Sequence, residues 1–450
     1  MNKLLIRYVL VAALGGLLFG FDTAVVNGAL EFFREYLALE ADSLMEGWVV
    51  SSALLGCAIG AISIGRFGDK YGRRYMLRIM AFLILVSAVG TGLAFNLDSF
   101  IVMRLMGGLG VGGASVLSPM YISEIAPAKV RGRLTVTFQL AIVIGILLAF
   151  FSDYLLINIG ENNWRWMFIV EGIPALIFFL SLYTVGRSPR WLVKNNKIEE
   201  AFAEISKVNP NANPDKSINE IRDSLNEDII KHFKYLFRKP YLRLVIIGII
   251  IGMFNQFTGI NVVMYYSSKI FIAAGFSSES AILQTVIIGS TNLLFTIIAM
   301  NVIDKLGRKN MLLIGSLLIA SFLGLFSFLY ISETKGFALL IMLVMFVGSF
   351  SFSQGAVILV ILSEMFPNNI RARATSIGSF SLWVFCFLTT LLFPAVVGFF
   401  DGGSTNGKGV AYIFGFYAIM TLASFFFFKK YLFETKGKSL EELEKTSLKQ

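Results

Sequence analysis

Three ionisable residues interrupt otherwise apolar runs: Asp22 in "GGLLFGFDTAVVNGAL", Arg104 in "FIVMRLMGGLGVGG" and Glu171 in "RWMFIVEGIPALIFFL". A carboxylate left ionised at bilayer depth costs at least ~2.5–3.5 kcal/mol, so it needs a cation or a proton. Counted at ~1.5 Å per helical residue from the ends of their runs, all three fall roughly 8–12 Å below one membrane surface. Two acids and one base at one depth have two readings. One is a static ion pair that fixes helix packing, although a buried pair by itself is weak evidence for stability. The other is a relay, in which Asp22 takes a proton from outside, leaves Arg104 and so biases a conformational equilibrium.

A second set of residues could bind a ligand rich in hydroxyls. Amides both donate and accept, and aromatic faces stack on C–H-rich rings. Gln139, Asn255, Gln256, Asn261, Asn292 and Trp383 all lie in apolar runs, and Phe19 precedes Asp22 by three residues. The competing reading is that these amides bond across helices as packing contacts. Gly259 would permit a bend, and Tyr265 and Tyr266 lie beyond it as lid candidates.

The elements that must position these groups are membrane helices. The chain has 450 residues, 56% hydrophobic and 15% charged, with 43 Phe, more apolar mass than a soluble core would hold. Runs long enough to span recur near 5–30, 44–66, 76–95, 99–126, 132–158, 164–185, 241–272, 281–303, 310–331, 336–363, 372–400 and 409–429. The N-terminal run, with Lys3, Arg7 and Asp22, reads as a retained first span rather than a signal peptide. The formal charge of +10 is no nucleic-acid footprint. Its basic residues fall in alternate loops, the positive-inside pattern, which puts both termini in the cytoplasm. Cys57 and Cys386 lie in separate runs, and the one histidine, His232, lies in a polar stretch, so neither a disulfide framework nor a metal centre is expected. No Walker-type loop is present; the glycines at 107, 108, 110, 112 and 113 read as close-packing positions.

The chain also repeats itself. "DKYGRRYML" from Asp69 recurs as "DKLGRKNML" from Asp304, and "SEIAPAKVRGR" from Ser123 recurs as "SEMFPNNIRAR" from Ser363. Two unrelated motifs recurring at nearly one offset imply an internal duplication in parallel orientation. The expected organisation is an all-α membrane protein of twelve transmembrane helices in two six-helix, pseudo-symmetric halves. These are 1–186 and 241–430, joined by a linker with short amphipathic helices at 187–240 and followed by a cytoplasmic tail at 431–450. In the repeated turns, Asp69, Arg73, Glu124 and Arg131 match Asp304, Arg308, Glu364 and Arg371. Paired acids and bases exceed what topology alone requires, so these charges are expected to gate the cytoplasmic face.

These motifs, with "GRSPRWL", "NQFTGINVVMYY" and "ETKGKSLEELE", resemble the sugar porter family of the major facilitator superfamily, from about Gly15 to Leu443. The resemblance is nearest to bacterial proton–monosaccharide symporters. It implies a multi-pass protein of the cell (inner) membrane, monomeric, without cofactor, importing a pentose, hexose, deoxyhexose or related polyol with a proton by alternating access. The alternatives are a proton-independent uniporter and a non-transporting sugar sensor; an enzyme is not expected. The resemblance also implies coupling through the matching Asp22 and Arg104, and a substrate cavity lined by the amides above. It differs in places: Arg187 stands where Glu is usual, Gly355–Leu359 where Gly-Pro-x-x-Trp is usual, and Leu382 where a polar residue precedes Trp383. Leu359 and Leu382 are expected to make that side of the cavity less polar, favouring a substrate with an apolar edge.

Overall fold

Without water, a backbone in hydrocarbon must satisfy its own hydrogen bonds, so apolar runs of this length become helices. The computed structural model describes residues 2–127, 130–210, 213–226, 236–239, 241–334, 336–367, 370–402 and 408–436, without the side chains at 224–226, 363, 371 and 372. His232, the Arg371 side chain and the tail from 437 onward lie outside the described residues.

The first six spans are α1 (Lys3–Tyr36), α2 (Leu44–Tyr71), α3 (Arg73–Gly92), α4 (Leu97–Ile125), α5 (Arg131–Leu156) and α6 (Asn163–Ser181). Three short helices follow, α7 (Pro189–Lys194), α8 (Ile198–Val208) and α9 (Pro214–Asn226). The second set runs α10 (Tyr241–Gln256), α11 (Ile260–Ala273), α12 (Ser278–Leu306), α13 (Arg308–Ile331), α14 (Phe337–Phe352), α15 (Gln354–Glu364), α16 (Arg371–Asp401) and α17 (Lys408–Tyr431). Among the described residues twelve spans are long and apolar enough to cross a membrane, with α10–α11 forming the seventh and α14–α15 the tenth. Both of these spans are broken. The seventh breaks at Gly259, in the left-handed region at φ +78°. The tenth breaks at Ser353 (φ −118°, ψ −89°), with no glycine at the hinge. The sequence anticipates the first break and not the second.

The helices form two compact units, Met1–Val25 with Ser52–Asp228, and Val26–Ser51 with Ile229–Gln450. In the first, α2 and α4 meet backbone to backbone. A Cβ on Gly56 or Gly60 would lie 2.3 or 2.4 Å from the carbonyls of Leu105 and Leu109, and one on Gly108 or Gly112 within 2.0 or 2.1 Å of those of Ala53 and Cys57. This is the small-residue packing expected between membrane helices; it accounts for Gly108 and Gly112, while Gly107, Gly110 and Gly113 lie against Ser87, Ile84 and Met80 of α3. The helices α7–α9 build a small core of Trp191, Leu192, Val193, Ala201, Ile205 and Ile218. In the second unit, Ile251, Phe254, Leu312, Ile361, Leu362 and Phe428 belong to one buried cluster, against which Leu382 packs.

Candidate functional site

Asp22, Arg104 and Glu171 come together in the first unit. Arg104 Nη1 lies 2.5 Å from Asp22 Oδ1, and Nη2 reaches the Asp22 carbonyl at 3.4 Å. The two residues are 1% and 5% exposed, and Glu171 is 2% exposed. Glu171 lies in the electrostatic field of both, yet its Oε1 has no hydrogen-bond partner among the described residues. The cluster is therefore two carboxylates around one guanidinium, with the charge of Asp22 compensated directly and that of Glu171 not. Arg104 also faces the ring of Phe168, 5.4 Å from its centroid.

Two of the substrate candidates lie in this unit. Phe19 is half-buried on α1, and Gln139 is half-buried on α5 with no hydrogen-bond partner among the described residues. An apolar helix carrying an unused amide retains its full donor and acceptor capacity for a ligand.

The remaining candidates lie in the second unit. Where α10 stops and Gly259 turns the chain, three amides form a chain of bonds. Asn261 Nδ2 donates to Gln256 Oε1 at 2.5 Å, and Gln256 Nε2 donates to Asn255 Oδ1 at 3.1 Å. Thr258 closes the turn on the Asn255 carbonyl at 2.7 Å. The turn requires glycine: φ is +78°, and a Cβ there would meet the Tyr417 ring at 2.3 Å. Asn292 is half-buried on α12, and its Oδ1 accepts from Ser351 on α14 at 2.7 Å. That bond realises the packing alternative for its carbonyl, while its NH2 donates no bond to a described residue. Gly355 follows the Ser353 break in the first turn of α15, and Trp383 is half-buried on α16. Leu359 is exposed. Tyr265 and Tyr266 are fully buried on α11, and the Tyr266 hydroxyl donates to the Thr390 carbonyl at 3.1 Å.

The repeated turns build the same network twice. In the first unit Arg73 bridges Asp69 (2.8 Å) and Glu124 (2.9 Å), and the Ser188 hydroxyl bonds Glu124. In the second, Arg308 bridges Asp304 (2.8 Å) and Glu364 (3.4 Å), and the Thr435 hydroxyl bonds Glu364 at 2.5 Å. Arg131 is exposed and makes no ion pair with a described residue.

Sequence reasoning missed a third charged site. Lys269, on α11, lies 2.5 Å from Glu46 and 3.1 Å from Asp42. Beside it Asn27 donates to Ser267 Oγ (2.6 Å) and the Met264 carbonyl (2.8 Å), and accepts from the Ser268 amide (2.9 Å). All of these residues belong to the second unit. A lysine inside the seventh apolar run was the available signal, of the same kind as Asp22.

The sequence profile described as "Sugar (and other) transporter" matches residues 8–446. The chain is 39% identical to the glucose transport protein of Synechocystis sp., across 96% of this chain and 95% of that one. It is 37% identical to the D-xylose-proton symporter of Escherichia coli, across 97% and 94%. The E. coli xylose transporter XylE, solved in a partially occluded inward-open conformation, superposes with a TM-score of 0.85 at 35% identity, covering 97% of this chain and 100% of that one. A helical duplication of twelve spans, a buried carboxylate–guanidinium cluster and matches along nearly the whole chain lead to one conclusion: this is a multi-pass membrane transporter, not an enzyme, and it belongs to the sugar transporter family of the major facilitator fold.

Proposed function

We propose that the chain is a proton-coupled symporter that imports a monosaccharide or related polyol by alternating access. It would reside as a monomer in the inner membrane with both termini cytoplasmic. The observation that carries this reading is the Asp22–Arg104–Glu171 cluster. One cation serves two buried carboxylates, so neutralising either acid with a proton changes how the other is held. Proton uptake at Asp22 would release Arg104 toward Glu171, and this is the coupling step. The amides of Gln139, Asn255, Gln256, Asn261 and Asn292 would bond sugar hydroxyls, with Phe19 and Trp383 against the ring and Gly355 leaving room beside it. Tyr265 and Tyr266 would form the outer lid. The Arg73 and Arg308 networks would hold the cytoplasmic gate.

Relatives named for xylose and glucose support a substrate among pentoses and hexoses. Leu359 and Leu382 favour one with an apolar edge, a pentose or a deoxyhexose. The test is uptake into proteoliposomes with and without an imposed pH gradient. Wild type should accumulate sugar only with the gradient. Asp22→Asn, which imitates the protonated form, should exchange sugar but neither accumulate it nor take up protons. The direct 2.5 Å bond favours a second reading, a uniporter with a structural ion pair; gradient-independent transport by wild type would establish it.

A further inference from the structure

The two charged-turn networks share their arginine, their two carboxylates and their hydroxyl, and differ in what lies over the glycine at the turn. In the second unit Glu434 precedes Thr435, and its carboxylate covers the start of α13, accepting from the Arg308 amide at 2.9 Å and the Lys309 amide at 3.1 Å. It fills the space over Gly307, where a Cβ would lie 2.5 Å from Glu434 Oε2. In the first unit Ser188 takes the role of Thr435, and the residue before it is Arg187. Gly72 repeats the geometry of Gly307, with φ +93° and ψ 147° against +87° and 156°. The start of α3 nevertheless carries no side-chain cap and no acid in its first turn. Where one unit holds a carboxylate, the other holds the Trp191 ring, 3.2 Å from where a Cβ on Gly72 would lie, and beside it a cavity of about 120 Å3 lined by Gly72, Arg73, Arg74, Arg78, Arg187 and Trp191. That is about four water volumes at ~30 Å3 each.

The charge in this cavity is not balanced. Among the described residues no carboxylate comes within ion-pair distance of Arg74 or Arg78, which donate to the carbonyls of Val185 (2.7 Å) and Leu182 (3.2 Å). Those bonds cap the chain leaving α6 and use one edge of each guanidinium, leaving further N–H donors on both. Arg187 pairs with Glu200 at 3.3 Å, but both side chains are about half exposed, and such a pair is screened and weak. Arg73 is 6% exposed and is already held by Asp69 and Glu124, and only its Nε has no partner among the described residues. Glu204, packed under Gly186, is the acid that acts on Arg74, and its burial raises its carboxyl pKa, so it offsets that arginine poorly.

We propose that this cavity binds the phosphoryl group of a phosphate ester, which caps α3 as Glu434 caps α13. Arginine forks match the tetrahedral oxygens of phosphate, and a phosphoryl group offers acceptor oxygens in more directions to several guanidinium groups than a single carboxylate does. Amides at a helix start add donors to the same face. The ester has two sources, a soluble sugar or glycerol phosphate and a phospholipid headgroup. Tyr71 and Tyr75, exposed at the cavity, are rings of the type that sit at membrane interfaces.

The experiment uses the full-length protein and three variants, Arg187→Glu, Arg187→Gln and Arg78→Gln. Binding of glycerol 3-phosphate in detergent is measured by calorimetry, with succinate as the carboxylate comparison. Retention of phosphatidylglycerol from mixed phosphatidylcholine vesicles is measured by native mass spectrometry. Wild type should bind at least one of the two phosphate probes, and which one identifies the source. Arg187→Glu, which supplies the internal cap, should weaken that binding by about tenfold or more, and each glutamine variant by a smaller factor. The thermal midpoint of each variant in detergent reports folding independently of binding. Failure of both phosphate probes to bind, equal binding by folded variants, or succinate binding as tightly as glycerol 3-phosphate would each overturn the assignment.

Discussion

Lys269 holds Glu46 at 2.5 Å, and the glutamate is wholly buried. Their partners are chain neighbours: Asp42 shares the lysine at 3.1 Å, and Asn27 ties α1 to the backbone of α11 beside it. The segment Val26–Ser51 is thereby fastened to the half-helix that begins at Gly259. Any opening that separates the two must expose or break this pair. Removing one partner of a buried pair costs about 3 kcal/mol because the other charge stays buried. Lys269→Met should therefore loosen the segment strongly, and Lys269→Met with Glu46→Gln much less. Reagent accessibility of a cysteine placed at Ser51 would measure it, with a large increase in the single variant and partial recovery in the double.

Gly259→Ala should be among the most damaging single-methyl changes in the chain. Its φ is +78°, and the new Cβ would sit 2.3 Å from the Tyr417 ring. Backbone strain alone costs about 1–3 kcal/mol, and the clash adds to it. The amide chain Asn261–Gln256–Asn255 depends on this turn. Sugar affinity should fall together with the thermal midpoint, whereas Gly65→Ala, where a Cβ meets nothing within 4 Å, should leave both unchanged.

Ser188 and Thr435 make equivalent bonds to carboxylates of unequal burial. The side chain of Glu124 is 7% exposed and that of Glu364 is 23%. A lost hydrogen bond to a charged group costs about 1.5–3 kcal/mol, more where water cannot replace it. Ser188→Ala should therefore shift the conformational equilibrium more than Thr435→Val. Double electron–electron resonance across the cytoplasmic ends would show the order, and equal shifts would reduce both networks to topology signals.

Glu204 gives the linker helix α8 a pH dependence. Burial raises its carboxyl pKa, against the opposing pull of the Tyr8 hydroxyl bond, Lys207 and Arg74, and its Oε1 has no partner among the described residues. A folded-state pKa above the unfolded value means that docking is tightest below the ordinary carboxylate range. The stabilisation is lost as pH rises through the raised value. Amide exchange across α8 should accelerate between acidic and neutral pH in wild type. Glu204→Gln should remove that acceleration and protect α8 at neutral pH.

The spans were legible in the sequence because hydrocarbon allows one solution to a long apolar run, and the duplication was legible because charged turns stand out against it. The Asp22–Arg104–Glu171 cluster followed from depth alone. The Ser353 break did not, since "SFSQGAV" contains no residue that forces a hinge. Asn27 and Glu46 were unreadable for another reason: their partners lie more than two hundred residues away, and neither is an unusual residue where it stands. Arg187 and Glu434 were visible as single letters. Their opposition became meaningful only when Glu434 was found on the amides of α13.

The backbone contact between α2 and α4 has a mechanical consequence. Helices that interlock through large side chains must change rotamers to shift. Here the facing surfaces are bare main chain, and what opposes sliding is shallow dispersion and weak Cα–H···O contact. The pair works as a plain bearing rather than as meshed gears. Asp69 lies at the end of α2 and Glu124 at the end of α4. Arg73, which holds both, is thus the stop that fixes where the bearing comes to rest.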